Sequence, residues 1–263
     1  MKHTVLITGA SAGIGRACAV EFAKHSHDLV LVARNAAALD ALRGELKTTY
    51  GISVCTIPMD LLQPDAPVRL LEEVQKQNLS VDILINNAGY GDFAPFLDSD
   101  WEKQQSMVQL NITVLMQMTY LFGNAMRKRR QGRIVNLSSV AAFYAGPYMS
   151  VYYASKAFVL SFTQAVAEEL KGSGVTLTAV CPGPTATNFD KAADMGKSNM
   201  FTFHKPQTAE SVAQAVYKSC MNGKVICYHS AVTKVSNIAT RLLPRSVACK
   251  LARKINGTPE VQP

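Results

Sequence analysis

A glycine-rich turn near the N-terminus constrains the fold of this chain more than any other feature. Residues 8–15 read TGASAGIG; they follow the apolar run 5–8 and open an amphipathic segment over 13–25. Glycine adopts backbone angles that a Cβ obstructs, and a helix N-terminus offers unpaired N–H groups to phosphate. The run therefore predicts a strand–turn–helix unit whose turn holds a phosphate-bearing cofactor. A tight turn without a ligand is the alternative.

The rest of the chain alternates short apolar runs with longer amphipathic segments. Runs of Val, Ile and Leu without alternation predict strands that are buried on both faces of a parallel sheet. Together with right-handed crossovers, this order predicts an α/β Rossmann fold, a doubly wound sheet of about seven strands with helices on both faces. The predicted strands are 5–8, 28–33, 53–59, 83–86, 132–138, 175–181 and 224–228. The predicted helices are 13–25, 36–50, 64–78, 100–130, 151–171 and 209–221.

Composition predicts one domain and limits the classes of function. The 263 residues are 48% hydrophobic, and no run of eighteen apolar residues occurs, so we expect no membrane-spanning helix. The first predicted strand starts so early that it leaves no room for a leader peptide, which predicts a cytoplasmic protein. The six cysteines are scattered without a C-x-x-C pair, so we expect reduced thiols and no metal site.

The end of the second predicted strand indicates which dinucleotide is bound. An NAD site places an acid there to bind the ribose 2′-hydroxyl, whereas this chain has Arg34-Asn35. A guanidinium can bind a 2′-phosphate through charge-assisted hydrogen bonds, and Arg16 is placed to assist it. The sequence therefore predicts NADP(H) rather than NAD(H). The alternative is that Arg34 is a solvated charge at the end of a strand.

Several short motifs, in order over most of the chain, resemble those of the short-chain dehydrogenase/reductase family. The run 8–15 resembles its cofactor turn, Asp60-Leu61 the acid that meets adenine, and residues 86–89 (NNAG) its stabilising turn. Pro182-Gly183, with Thr187, resembles the loop that touches the nicotinamide. The resemblance implies the following cofactor-binding residues: Gly9, Ser11, Gly13, Ile14, Gly15, Arg34, Asp60, Leu61, Asn87, Ala88, Gly89, Tyr152, Lys156, Pro182, Gly183, Thr185 and Thr187.

Asn111, Ser139, Tyr152 and Lys156 fall where the catalytic tetrad of that family falls. The resemblance implies that Lys156 also binds the ribose hydroxyls. It further implies that Asn111 holds water at a local helix distortion and relays protons toward the lysine. Ser139 is expected to hydrogen-bond the substrate oxygen. The family spacing favours it over Ser138, which is expected to face the other side of the strand.

Tyr152 and Lys156 form an acid–base pair on chemical grounds alone. They are four residues apart on one predicted helix, so their side chains lie on the same face. A free phenol has a pKa near ~10, which makes it a poor acid–base catalyst at neutral pH. We expect the nearby ammonium to lower that pKa toward the working range. Tyr153 has no lysine four residues later, so it is expected to pack or to line the cofactor side.

Two segments after strand ends are expected to select the substrate, because ligands bind at the carboxyl ends of strands in doubly wound sheets. They are residues 141–149 and 188–205. The second segment mixes Met195, Met200, Phe201 and Phe203 with polar residues, which predicts a mobile lid with an apolar inner face. An ordered packing loop is the alternative.

The last fifth of the chain carries all of its net charge of +8. Residues 211–259 contain eight Lys or Arg and no Asp or Glu, and apolar residues recur at helical spacing on both sides of Pro244. This pattern predicts a catalytic domain over 1–230 followed by a basic amphipathic helical extension over 231–263. Three interpretations of 231–256 are open: docking on its own domain or a second subunit, contact with an anionic membrane, or attraction of an acidic acyl carrier. Few aromatics are interleaved with these charges, so we expect no nucleic-acid partner.

The combined prediction is an NADP(H)-dependent oxidoreductase. It would transfer a hydride between the nicotinamide and a ketone or aldehyde, or the corresponding secondary alcohol, of apolar or acyl type. A non-catalytic NADP(H)-binding sensor or scaffold is the alternative. By resemblance, the expected assembly is a homodimer or homotetramer that pairs through its long helices.

Overall fold

The computed structural model describes residues 1–186 and 206–259. Thr187 and the predicted lid at 188–205 lie outside the described residues. The main sheet is built from β1 (Thr4–Thr8), β2 (Asp28–Ala33), β3 (Val54–Pro58), β4 (Ile83–Asn86), β5 (Gly132–Leu137), β6 (Val175–Cys181) and β9 (Ile226–Tyr228). Two short strands, β7 (Thr185–Ala186) and β8 (Gln207–Thr208), pair separately.

Helices precede or follow each strand of the main sheet. The α-helices are α1 (Gly13–Lys24), α2 (Ala36–Tyr50), α3 (Ala66–Lys76), α4 (Trp101–Val108), α5 (Leu115–Lys128), α6 (Ser150–Glu169), α7 (Ala209–Met221), α8 (Ala231–Leu242) and α9 (Arg245–Asn256). A π-helical stretch (Gln109–Val114) joins α4 to α5, and short 3₁₀ turns occupy Phe96–Asp98 and Val140–Phe143.

The main sheet is entirely parallel, in the order β3-β2-β1-β4-β5-β6-β9. Its Val, Leu and Ile side chains are buried on both faces. One face packs against Phe22 of α1, Leu39 of α2 and Val212 of α7. The other packs against Leu70 of α3 and Phe122 of α5. The predicted Rossmann fold is confirmed, because only helices on both faces bury such strands completely.

The strand order reverses between β1 and β4, which lie side by side at the centre of the sheet. The chain leaves β1 toward β2 and returns through β3 to β4 on the other side. The loops after β1 and β4 therefore diverge and leave a crevice at the carboxyl edge, which is where doubly wound sheets bind ligands.

The π-helical stretch divides the helix predicted over 100–130, at the position where the resemblance implies a local distortion around Asn111. A π turn accommodates one additional residue in the helix. Other predicted bounds differ by a few residues. The third helix starts at Ala66 rather than 64, and β9 starts at Ile226 because a turn at 222–223 and a bend at 225 precede it. The pairing of β7 with β8 was not predicted, because two-residue strands leave no periodic pattern.

The C-terminal segment forms the helix pair that the sequence predicts. Pro244 stands directly between α8 and α9, where its fixed φ suits the start of a helix but not its interior. The helices α8 and α9 lie against the domain through buried side chains of Thr233, Ala248, Ala252 and Asn256. No helix in residues 1–186 and 206–259 combines the length and apolar character needed to cross a membrane.

Candidate active site

A cleft of about 720 Å³ opens at the carboxyl edge of the sheet. It runs from the glycine turn after β1, past the ends of β2 and β3, to the loops after β4, β5 and β6. Most of the predicted site residues line it: Gly9, Ser11, Gly13, Ile14, Arg34, Asp60, Leu61, Asn87, Ala88, Gly89, Ser139, Tyr152, Lys156, Pro182, Gly183 and Thr185. Asn111 and Gly15 do not line the cleft.

The glycine turn is held by the loop that follows β4. The Asn87 side chain donates to the carbonyl oxygens of Thr8 (2.9 Å) and Gly9 (3.3 Å). Gly9 has a φ of +66°, and a Cβ placed on Gly15 would collide with the Gly9 carbonyl and the Asn87 amide. Gly15, predicted to bind the cofactor, thus serves the close packing of α1 on the turn. No side chain caps α1, and its first residues, Gly13 and Ile14, line the cleft.

Arg34 stands at the end of β2 and is exposed along the cleft. No carboxylate among the described residues forms an ion pair with it. Asn35 has a structural role, because its side chain caps α2 at the Ala38 N–H (3.0 Å). The expectation that Arg16 assists Arg34 is wrong in this structure, since Arg16 forms an ion pair with Glu45 at 2.6 Å and does not line the cleft.

Three predicted catalytic side chains meet on one wall of the cleft. Tyr152 and Lys156 lie on the same face of α6, and Lys156 Nζ is 5.7 Å from the centre of the Tyr152 ring. Ser139 follows β5 and hydrogen-bonds the Tyr152 side chain. Its Oγ also accepts from the Ala141 N–H (3.1 Å), which fixes its rotamer at the start of the 3₁₀ turn.

The neighbouring Ser138 points elsewhere. Its hydroxyl donates to the Lys156 backbone carbonyl (2.8 Å), and so ties β5 to α6. This contact occupies the hydroxyl and leaves Ser139 as the serine that meets Tyr152. The catalytic role of Ser139 stays a prediction.

Burial decides the protonation of the tyrosine and the lysine. It raises the pKa of Tyr152 to about 12, and the hydrogen bond with Ser139 offsets only part of that rise. Burial also lowers the pKa of Lys156 to about 8. The Lys156 ammonium donates to the Leu137 carbonyl (2.9 Å). Desolvation is thus the largest influence on the pKa of Tyr152, and the lowering of that pKa by Lys156 stays a prediction.

Asn111 lies in the π-helical stretch with 1% of its surface exposed. Its amide bonds both backbone groups of Tyr90, accepting from the N–H (3.2 Å) and donating to the carbonyl (2.9 Å). It also donates to Ser155 Oγ (3.1 Å). A Cβ built on Gly89 would lie 2.8 Å from Asn111 Oδ1 and 3.6 Å from Lys156 Nζ. Any side chain at position 89 would therefore crowd the Asn111 amide, so glycine lets the loop pass close to Asn111 and Lys156.

The side of the cleft away from the glycine turn is apolar and aromatic. Phe93, Ala141, Met149 and Tyr153 form a buried cluster there, and Tyr144, Tyr148 and Tyr152 pack against it. Residues 141–149, predicted to contact the substrate, supply four of these seven side chains. The wall suits an apolar substrate next to the Tyr152 hydroxyl.

The structure adds one residue to the site that the sequence did not predict. Asn256, at the end of α9, is fully buried and accepts a hydrogen bond from the Tyr153 hydroxyl (2.7 Å). It donates to the Pro147 carbonyl (2.9 Å). Tyr153 therefore has the packing role, which is one of the two roles predicted for it. Its hydroxyl is held by the C-terminal extension. A lone Asn in a basic helix gives no sequence signal for contacts more than 100 residues away.

Replacing Asn256 by alanine is expected to destabilise the protein. The Tyr153 hydroxyl and the Pro147 carbonyl would both lose a partner in a buried place, which costs about 2–4 kcal/mol in the free energy of unfolding. Urea unfolding of Asn256→Ala measures the loss. Asn237→Ala is the matched control, because Asn237 bonds the Tyr228 hydroxyl (2.9 Å) in a less buried position of α8. Equal losses in the two variants would contradict the prediction.

Comparison with known proteins agrees with this geometry. Residues 3–198 match the profile of a family described as short chain dehydrogenase. Serine 3-dehydrogenase of Agrobacterium fabrum is 35% identical over 224 residues, which is 82% of this chain and 87% of that protein. A short-chain dehydrogenase from Sphingobium yanoikuyae, solved in complex with NADPH, superposes with a TM-score of 0.81 at 32% identity and covers 91% of this chain and 94% of that one.

A bulky-bulky ketone specific alcohol dehydrogenase from Comamonas testosteroni has a TM-score of 0.78 at 29% identity, with 91% and 92% of the two chains covered. A doubly wound sheet with this tyrosine, serine and lysine at its carboxyl edge defines an oxidoreductase of the Rossmann type. The chain belongs to the short chain dehydrogenase family. The predicted family, fold and enzyme class are confirmed.

Proposed function

We propose that this chain is an NADP(H)-dependent oxidoreductase acting on an apolar ketone or aldehyde, or on the corresponding secondary alcohol. The observation that carries the proposal is the meeting of Ser139 and Tyr152 beside the buried Lys156 on one wall of the cleft. A protein that only bound the nucleotide would not need a protonated phenol and a buried ammonium at that position.

The cleft fits a dinucleotide that carries a 2′-phosphate. The turn at Gly9 keeps backbone close to the cleft surface, and the uncapped start of α1 offers N–H groups and a positive dipole end to phosphate. Arg34 lies at the end of β2, ready to bind the 2′-phosphate. Asp60 and Leu61 would meet the adenine, and the loop at 182–185 the nicotinamide. The NADPH complex of the Sphingobium relative supports this assignment. When bound, the cofactor supplies or accepts the hydride.

Tyr152 is the proton donor in the direction of reduction. Its raised pKa keeps the phenol protonated at neutral pH, so it can give that proton to the carbonyl oxygen as negative charge develops there. Ser139 lies within hydrogen-bond reach of Tyr152, so its hydroxyl can donate to the same oxygen. In the direction of oxidation, the Tyr152 phenolate takes up the proton of the alcohol hydroxyl, and Ser139 keeps its hydrogen bond to the same oxygen.

Lys156 and Asn111 act behind the phenol. The Lys156 ammonium stabilises the phenolate left by proton transfer and would bind the ribose hydroxyls. Asn111 Oδ1 and Lys156 Nζ both lie beside Gly89, and a water held near these two groups would pass protons toward the lysine. Asn111 is fixed for this role by its bonds to the Tyr90 backbone.

The aromatic wall supports an apolar, bulky carbonyl substrate. Ala141, Met149 and Tyr153 line this part of the cleft and offer no charged group to a ligand. The ketone specificity in the name of the Comamonas relative points to the same chemistry. Initial rates of NADPH oxidation over a panel of aliphatic, aromatic and charged carbonyls test the proposal. We expect turnover with apolar ketones, whereas NADPH binding without turnover of any carbonyl or alcohol would establish the nucleotide-sensor alternative.

The low pKa of Lys156 predicts a pH dependence. Its ammonium is charged below a pH of about 8 and neutral above it, whereas Tyr152 keeps its proton up to about 12. We expect kcat/KM for carbonyl reduction to fall as pH rises through the pKa of Lys156, approaching about tenfold per pH unit. A pH–rate profile measures this limb, with circular dichroism as a control for folding. A flat profile across the same range would show that the ammonium charge is not needed.

We also propose a homodimer or homotetramer that pairs through α4 and α5. The outer side of these helices exposes Trp101, Val108, Met116 and Tyr120, which are large apolar side chains. Tyr120→Glu is expected to shift the chain to a smaller species in size-exclusion chromatography with light scattering. An unchanged mass would place the subunit contact elsewhere.

The state of the cysteines supports the proposed cytoplasmic location. All six are free thiols. Burial raises the pKa values of Cys18, Cys181 and Cys220, so these thiols stay protonated and unreactive. Reduced, buried thiols are typical of cytosolic proteins.

A further inference from the structure

The outer side of α8 and α9 exposes a row of large apolar side chains. Val235, Ile238 and Leu242 recur at i, i+3 and i+7 on α8, with exposed fractions of 63%, 50% and 81%. Val247 and Leu251 are four residues apart on α9 and are also exposed. We call these five residues, together with the exposed Leu243 between the helices, the C-terminal apolar face.

The opposite side of α8 and α9 packs against the domain. Ala248, Ala252 and Asn256, at i, i+4 and i+8 of α9, are buried against the domain. On α8, Thr233 is buried and Asn237 bonds the Tyr228 hydroxyl. The helices are therefore fixed on the domain, and the C-terminal apolar face points away from it.

Positive charge borders this face. Lys234, Arg245, Lys250, Arg253 and Lys254 are exposed on the same two helices. No Asp or Glu occurs from residue 211 to residue 259, whereas the rest of the chain is balanced between 19 basic and 19 acidic residues. An apolar strip bordered by Lys and Arg is the composition of helices that lie in a lipid interface.

The charge distribution argues against a second copy of this chain as the partner that covers the C-terminal apolar face. A two-fold contact places the same patch on both partners against itself. Five basic side chains would then face five others, and the helices offer no carboxylate to neutralise them. Anionic headgroups, by contrast, attract Lys and Arg and let the apolar side chains enter the acyl region.

We propose that the C-terminal apolar face docks this protein on an anionic lipid surface. The helices lie in the interface and do not cross the membrane. Because α9 ends on Asn256, which bonds Tyr153 of the aromatic wall, docking brings the apolar side of the cleft near the lipid. This last consequence deepens the proposed function and rests on it: the apolar carbonyl would be one dissolved in the membrane. The docking itself does not depend on turnover.

Sedimentation with vesicles tests the docking on the full chain. We expect the protein to pellet with vesicles of phosphatidylglycerol and phosphatidylcholine but not with phosphatidylcholine alone, and to be released by salt. The double variant Ile238→Ser with Leu242→Ser, and separately Lys250→Glu with Lys254→Glu, should each weaken binding at least about tenfold. Leu97→Ser and Lys171→Glu are matched controls, since both residues are exposed on other parts of the surface.

Several outcomes would overturn the proposal. Absence of binding to anionic vesicles at low salt is one, and equal binding by all variants is another. Binding that responds to the charge variant but not to the apolar variant would indicate an acidic soluble partner instead. If the apolar variant changes the mass in light scattering, the face contacts a second copy. NADPH affinity and thermal unfolding of each variant show that it is folded.

A depth measurement gives an independent readout on a nearly native chain. Leu242→Trp in a Trp101→Phe background places the chain's one tryptophan at the C-terminal apolar face. Bromine-labelled acyl chains should quench its fluorescence if the side chain enters the acyl region by about 5–10 Å. Tryptophan emission without quenching would exclude insertion. Vesicle sedimentation and fluorescence quenching do not depend on carbonyl turnover. A failure of docking can therefore be distinguished from a failure of the proposed chemistry.

Discussion

Tyr152→Phe is expected to lower kcat for carbonyl reduction by about 10²- to 10⁴-fold, the range that a positioned general acid contributes. The substitution removes only the hydroxyl, and the ring can keep its packing against Tyr153 at a centroid distance of 6.2 Å. Affinity for NADPH, measured by fluorescence titration, should change little. The measurement is the initial rate of NADPH oxidation at saturating ketone.

Tyr153→Phe is the matched control, because it is the next residue on the same helix. Its hydroxyl bonds Asn256 and is not available to a substrate. We expect that variant to lose stability but to keep most of its kcat. If Tyr152→Phe retained more than about a tenth of the activity, another group would have to supply the proton.

Arg34→Asp is expected to reverse the preference for NADPH over NADH. The guanidinium would lose its hydrogen bonds to the 2′-phosphate, and the new carboxylate would repel that phosphate while it can bind a free 2′-hydroxyl. A charged hydrogen bond contributes about 1.5–3 kcal/mol, so the KM for NADPH should rise about 10- to 100-fold. The ratio of kcat/KM for the two cofactors measures the effect.

Arg16→Ala serves as the control for charge near the cofactor turn. Arg16 lies three residues after Gly13 but is held by Glu45 on α2. Its removal should leave the cofactor ratio unchanged. If the ratio of kcat/KM for the two cofactors changed in Arg16→Ala and stayed constant in Arg34→Asp, the 2′-phosphate would be bound at α1 and not at the end of β2.

The sequence predicted the parts of this protein that local patterns determine. Runs of Val, Ile and Leu specify buried parallel strands, because only a sheet covered on both faces can hide them. The glycine run at 8–15 and the spacing of Tyr152 and Lys156 on one helix were sufficient to predict that these residues line one cleft. Pro244 correctly divided the C-terminal helices.

The rest depends on contacts between distant residues or on the environment of a group. Asn256 meets Tyr153 across more than 100 residues, and no periodicity reports such a pair. The burial that raises the pKa of Tyr152 cannot be seen in the sequence, whereas its proximity to Lys156 can. The ion pair of Arg16 with Glu45 likewise requires knowledge of how α1 packs on α2.

The π-helical stretch around Asn111 has a consequence for the outer surface of the same helices. Successive residues of an α-helix are rotated by about 100°, so an uninterrupted helix would spread Trp101, Val108, Met116 and Tyr120 over about 120°. One additional residue in the turn sets α5 back by about 100° relative to α4. All four apolar side chains then fall within about 40° of each other. The π-helical stretch that directs the Asn111 amide inward therefore also aligns these four side chains on the outer surface. Deleting one residue from 109–114 would disrupt both the position of the amide and this alignment.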